Sequence, residues 1–229
     1  MINHLSRLRG NKIAVAGLDL ANPGRHVRPM LNDFDALLES KTNGSSVFSL
    51  GAIVNLTGTS ASKASHHGDE HVITYVRAKK VAQLHPIDFW RTLGDIARPT
   101  LRSIFGDDVQ LLSHRYVIER FRARSGFGCL RIMHTATLYK GYRYARLRWL
   151  SDGRIIDCPV TDARLYDRSG AVRDNLIAHL NERIKRGEAL IVAVGLSRGF
   201  RRPGGRRELH WIQINNLYLE TDPLGDEWA

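Results

Sequence analysis

The sequence predicts a mainly β protein with a few helices, folded as two small β-barrels in tandem. Three observations carry this. Short apolar, β-branched runs recur between turn signals, each half holds about one amphipathic helix, and 229 residues suffice for two small domains. The composition, 43% hydrophobic and 25% charged, is that of an ordinary folded chain.

In the first half, "KIAVAGLDL" (12–20), "VFSLGAIVNL" (47–56) and "HVITYVRAKKV" (71–81) read as strands. The segment "TGTSASKASHHGDE" between the last two is small and polar, a loop. "HPIDFWRTLGDIA" sets Pro86, Trp90, Leu93 and Ala97 on one stripe of a short helix, and "RPTLRSIFGDD" then breaks the pattern. The domain boundary is therefore expected near residue 110, giving domains 1–110 and 111–229.

In the second half, "YVIERFRAR" and "CLRIMHTATLY" are strand-like, and "YRYARLRWL" (142–150) alternates. One face of that run is Arg143, Ala145, Leu147 and Trp149, and the other is Tyr142, Tyr144, Arg146 and Arg148. Asp152-Gly153 signals a hairpin before "RIIDCPV". Ser169 can cap a helix bearing Val172, Leu176, Leu180 and Ile184, with Arg183, Lys185 and Arg186 in its last turn and Gly187 ending it. "ALIVAVGLS" and "ELHWIQINNLYLE" close the chain as strands. Several short strands around one helix, twice over, suit partly open barrels of about five strands, as in the OB-fold.

The charge is uneven. The chain carries a net +11, yet residues 1–110 hold +3, residues 111–207 hold +13 and the tail 208–229 holds −5. Of the 21 basic residues in the middle block 19 are arginine, which forks onto phosphate and stacks on bases. This concentration points to a polyanion, nucleic acid first. The alternative is a basic surface that meets an acidic protein partner in a larger complex.

The strand face of Tyr142, Tyr144, Arg146 and Arg148 is the leading candidate site. Single strands bind by stacking bases on rings while cations follow the phosphates. "RGFRRPGGRR" adds Arg198, Arg201, Arg202, Arg206 and Arg207 at a hairpin tip, and "RFRAR" adds Arg120, Arg122 and Arg124 on one strand face. Each also reads as a solvated charged surface. No recognition helix appears, so single-stranded DNA or RNA is expected over duplex read by sequence.

Other groups read as structural. "HHGDEH" offers His66, His67, Asp69, Glu70 and His71, but neighbouring histidines in one polar loop rarely converge on a metal. Cys129 and Cys158 are too few for a disulfide framework and fit buried thiols in a reducing cytoplasm. Asp157, Asp162 and Asp167 recur every five residues, a period of neither helix nor strand; a metal-dependent nuclease or hydrolase would need them clustered. No phosphate-binding glycine loop, nucleophile elbow or dinucleotide fingerprint is present. The expectation is no enzyme activity, no cofactor and no metal. No apolar run is long enough to span a membrane, and "MINHLSRLRGNK" lacks the apolar core of a secretory signal.

Six segments, in order, resemble the prokaryotic dual OB-containing domain family, in which two OB-folds are fused. They are "IAVAGLDL" (13–20), "GRHVRP" (24–29), "SLGAIVNL" (49–56), "PVTDARLYD" (159–167), "AVGLSRGF" (193–200) and "HWIQINNLYLE" (210–220). Ala16-Gly17, Gly24, Val27, Arg28 and Pro29 match its opening element, while His26 stands where an aromatic ring is common. The resemblance implies nucleic-acid binding or sensing, often in bacterial defence against mobile elements, and carries no catalytic residues. It draws attention to Arg28 as a bridge between barrels first and a ligand contact second. Pro29 and Gly24 read as the device that turns the chain into the first barrel.

Overall fold

The computed structural model describes residues 1–8, 13–22, 24–31, 47–61, 71–112, 114–120, 122–133, 135–151, 153–201, 204 and 206–228. His66, His67, Asp69 and Glu70, read above as part of a polar loop, together with Arg202, lie outside them.

The chain is mainly β with three α-helices among the described residues. In the first half, β1 (Ile2–Arg7), β2 (Ile13–Leu18) and β3 (His26–Leu31) form an antiparallel meander. β4 (Ala52–Thr57) leads to the short β5 (Ser60–Ala61), and β6 (His71–Tyr75) leads to β7 (Arg77–Gln83). The sheet order is β1-β2-β3-β6-β5, in which β3 and β6 are parallel, and β4 pairs with β7. The Gly51 amide donates to the Ile2 carbonyl at 2.9 Å, bringing the start of β4 back beside β1.

Two helices follow, α1 (Pro86–Ile96) and α2 (Leu101–Phe105). The second half then contains β8 (Gln110–Leu112), β9 (Arg115–Glu119), β10 (Phe127–Ile132), β11 (Ala136–Lys140), β12 (Ala145–Ser151) and β13 (Arg154–Val160). It closes with α3 (Asp174–Lys185), β14 (Leu190–Leu196), the short β15 (Phe200–Arg201) and β16 (Glu208–Leu219). The main path is β10-β14-β16-β13-β12-β11, with β13 and β16 parallel. A separate stretch of β16 pairs with β9 and β15. Among the described residues none of these sheets closes on itself into a barrel.

Several local expectations are corrected. β1 was not anticipated, because Asn3, His4 and Ser6 break an apolar pattern although all three are buried. Some of the polar groups of this strand are met across the chain, while Asn3 Oδ1 and His4 Nε2 are buried with no hydrogen-bond partner among the described residues. The Leu5 amide donates to Asn216 Oδ1 at 2.7 Å, the Tyr218 hydroxyl donates to the Asn3 carbonyl, and Asn215 Nδ2 lies 3.2 Å from His4 Nδ1. The run at 129–139 is two strands, not one. The segment expected to break at 98–108 contains α2, held by a capping box between Thr100 and Ser103. In α1 the buried stripe is Phe89 and Leu93, with Trp90 half-buried beside it. α3 begins at Asp174; Ser169 instead closes a turn with Asp167 at 2.6 Å.

The core joins the two halves. Met1, Leu18, Leu50, Phe89 and Leu93 pack with Cys129, Ile191, Ala193 and Tyr218, and the Phe89 and Tyr218 rings meet edge-on at 5.4 Å. α2 precedes residue 110, yet its Leu101, Ile104 and Phe105 belong to the large second core. A Cβ on Gly128 would approach Ile104 Cγ2 to 2.4 Å, so β10 and α2 need glycine there to pack this closely.

Candidate nucleic-acid interface

β12 places alternate side chains on opposite sides. Ala145, Leu147 and Trp149 are buried as the alternation predicts, which turns Arg146, Arg148 and Leu150 outward. On β13, Ile156, Cys158 and Val160 are buried, so Asp157 faces out with Ile155. Strand register sets Asp157 directly opposite Arg148. One carboxylate then serves two guanidinium groups. Arg146 Nε donates to Asp157 Oδ1 at 2.9 Å, and Arg148 Nη2 donates to Oδ2 at 3.1 Å. The Tyr139 hydroxyl of β11 also donates to Oδ2, at 2.6 Å, and receives an N–H from Arg148 at 3.2 Å. Burial opposes ionisation of Asp157, but the hydrogen bonds from Tyr139, Arg148 and Arg146 outweigh it and hold its pKa below the ordinary value.

Tyr142 and Tyr144 do not share that strand face, contrary to expectation. They sit in the bend before β12, closed by the Gly141 amide donating to the Tyr144 carbonyl at 2.9 Å. A Cβ on Gly141 would lie 2.7 Å from Arg146 Cδ, so the arginine stem is seated over the glycine at the base of this bend. Tyr142 is 96% exposed and Tyr144 45% exposed. The two tyrosines therefore belong to the bend that enters the arginine-bearing strand.

A second aromatic group, missed in the sequence, adjoins it. Phe200 of β15 stacks on Trp211 of β16 with centroids 4.7 Å apart and planes within 6°. The Arg115 guanidinium of β9 lies 4.1 Å from the Trp211 centroid. Burial lowers the Arg115 pKa; Cys158 and Asp157 act to raise it and Arg146 to lower it, which locates Arg115 in the field of the Asp157 group. The β8–β9 turn is tied there too, with the Asp157 amide donating to the His114 carbonyl at 2.9 Å.

The remaining arginines divide. Arg120, Arg122 and Arg124 follow β9 instead of forming a strand face, because the strand ends at Glu119. Arg120 pairs with Glu208 at 2.7 Å and Arg207 with Glu119 at 3.1 Å. Arg122, Arg124, Arg198, Arg201 and Arg206 are exposed and make no ion pair among the described residues. Arg28 lies on β3, in the other half of the chain. Its guanidinium lies 4.9 Å from the Phe127 centroid, spanning from β3 to β10.

The three regularly spaced aspartates have separate duties. Asp157 holds the arginine face, Asp162 pairs with Arg164 at 2.6 Å, and Asp167 caps a turn through the Ala171 amide at 2.9 Å. Burial pushes the Cys129 and Cys158 thiols up to about 12, leaving both in their neutral form. Among the described residues no group of three His, Cys, Asp or Glu side chains is placed to hold a metal ion.

Compared with family models, curated proteins and solved structures, the chain matches none.

Proposed function

We propose that this chain binds single-stranded nucleic acid along the outer face of β12 and β13, without catalysing a reaction on it. The observation that carries the reading is the charge imbalance on that face. Arg146 and Arg148 share the Asp157 carboxylate with Arg115 in its field, so the face keeps excess positive charge while its side chains are held in place. The stacked Phe200 and Trp211 lie against Arg115, and Tyr142 and Tyr144 stand in the bend that leads into β12. Rings beside preset cations supply stacking and phosphate contact together.

The topology supports an OB-like reading of both halves. Each has a meander of three strands whose third member pairs parallel with a later strand, β3 with β6 and β13 with β16. In the second half β10 and β11 stand at opposite ends of the sheet path yet are consecutive in the chain. A first strand bent between them gives the strand order of an OB barrel. In such barrels oligonucleotides lie on the second and third strands, between the loop joining strands one and two and the loop joining strands four and five. Here those features are β12 and β13, the Tyr142–Tyr144 bend, and the arginine-bearing segment after β14.

Fluorescence anisotropy with single- and double-stranded DNA and RNA, across a salt series, tests the reading. Single strands are expected to bind more tightly, with a log–log salt slope of about 0.7 per phosphate contacted. Absent binding, or binding indifferent to salt, would overturn it.

A further inference from the structure

A cavity of about 440 Å³ opens where α2, the β8–β9 hairpin and the start of β13 meet, lined by Thr100, Arg102, Leu111, Tyr116 and Arg154. Its volume is in the range of sites for small organic ligands. Its chemistry is two-sided. Arg102 and Arg154 bring two exposed guanidinium groups, and no carboxylate is among the described lining residues. Arg154 makes no ion pair among the described residues, and Arg102 Nη1 donates to the Asp107 carbonyl at 3.2 Å with its other N–H groups left for a ligand. Leu111 and Tyr116 give the cavity an apolar wall, and both pack with the large second core.

We propose that this cavity binds a nucleoside monophosphate, the phosphomonoester held by Arg102 and Arg154 and the base against Leu111 and Tyr116. Two forked cations suit a phosphate dianion, whose three free oxygens accept several N–H groups at once. The remaining volume and the apolar wall suit a flat ring system. A phosphomonoester can come from a free mononucleotide or from the 5′ end of a strand. Arg154 opens β13, the strand that carries Asp157 on its other face. The site itself does not rest on the strand-binding reading, because none of its lining residues belongs to the arginine–tyrosine face.

The test is calorimetric titration of the full chain with AMP, adenosine and inorganic phosphate. AMP is expected to bind at least about tenfold more tightly than adenosine, the difference expected from charge-assisted bonds to the phosphate. The double variant Arg102→Ala/Arg154→Ala is expected to lose at least about tenfold in AMP affinity. Arg154→Ala alone, at an exposed position, provides the same reading if the double variant melts lower. No AMP binding, or equal binding by wild type and variants, would overturn the site. Oligonucleotides with and without a 5′-phosphate separate the two sources. Tighter binding of the phosphorylated strand, abolished in the variant, identifies the strand end; AMP binding without that difference identifies the free nucleotide. Loss of strand binding with AMP binding intact would refute the proposed function and leave this site standing.

Discussion

Two aspartate–arginine groups lie five residues apart in the chain, and their surroundings give them opposite uses. Asp162 is fully buried and has four N–H partners: the Arg164 Nε, Nη2 and amide, and the Leu217 amide. Arg164 in turn donates to the Leu217 and Leu224 carbonyls and lies 4.0 Å from the Trp228 ring centroid. Charge and hydrogen-bonding capacity are consumed internally, so the pair closes the acidic tail onto the core. Asp157 instead lies half-buried on the outer face of β13, and two arginines share it. One cluster is complete and serves stability; the other is short of negative charge and can accept more from a ligand.

Breaking the buried group is expected to have the largest effect. Asp162→Ala leaves the charged, largely enclosed Arg164 without its fully buried partner, and about 3–5 kcal/mol of stability should be lost. Urea denaturation reads this directly, and a loss well under 1 kcal/mol would show that the pair is not the lock described.

A second contrast is that the junction between the halves buries two histidines beside an apolar cluster. His26 is buried at 8% exposure, its ring edge-on to His4 at 5.1 Å, with Asn3 Nδ2 3.4 Å from its Nε2. Burial lowers its pKa to about 4, and burial, His26 and Arg28 lower that of His4 as well. The unfolded chain takes up a proton near pH 6.5 and the folded chain only near pH 4. Stability therefore falls as pH drops through that window, by on the order of 3 kcal/mol for His26 alone. Urea midpoints measured between pH 7 and pH 4 should fall in the wild type, and His26→Gln should flatten the profile. The Asp157 face loses its contribution lower, as pH falls through the depressed carboxyl pKa, so the two regions separate on the pH axis.

On the outer face, changes should move binding more than stability. Phe200→Ala is expected to weaken single-strand binding by about 1–3 kcal/mol, the worth of one base stack. An unchanged affinity by anisotropy would remove Phe200 from the interface. The smallest and sharpest effect is a reversal of sign. Asp157→Asn frees guanidinium groups for phosphate and should tighten binding at low salt, steepening the salt slope by about 0.7. Arg148→Ala should make the slope shallower by a similar amount. Parallel changes in the two variants would mean that the face acts only as structure.

The stretch of β11, β12 and β13 was legible because these strands have one dry face. Ala145, Leu147 and Trp149, and the α3 stripe of Leu176, Leu180 and Ile184, follow from periodicity alone and are all buried. β1 was illegible for the converse reason, since its buried Asn3, His4 and Ser6 look like surface residues until their distant partners are known. The candidate site was half legible. Its arginines stand out by number, but Asp157, Tyr139, Arg115 and Trp211 come from four different strands.

What the sequence determined by itself was local: which residues alternate, where turns fall, and that the positive charge belongs to residues 111–207. The tertiary structure decided which of those charges are spent. Arg120 is paired through a contact 88 residues away, and Arg146 and Arg148 are joined to Asp157 only by the register of β12 against β13. Side-chain period is set by the backbone of a single strand, whereas the partner of a charge depends on which strands lie side by side. That pairing depends on the burial of the whole sheet, which no local stretch of sequence encodes.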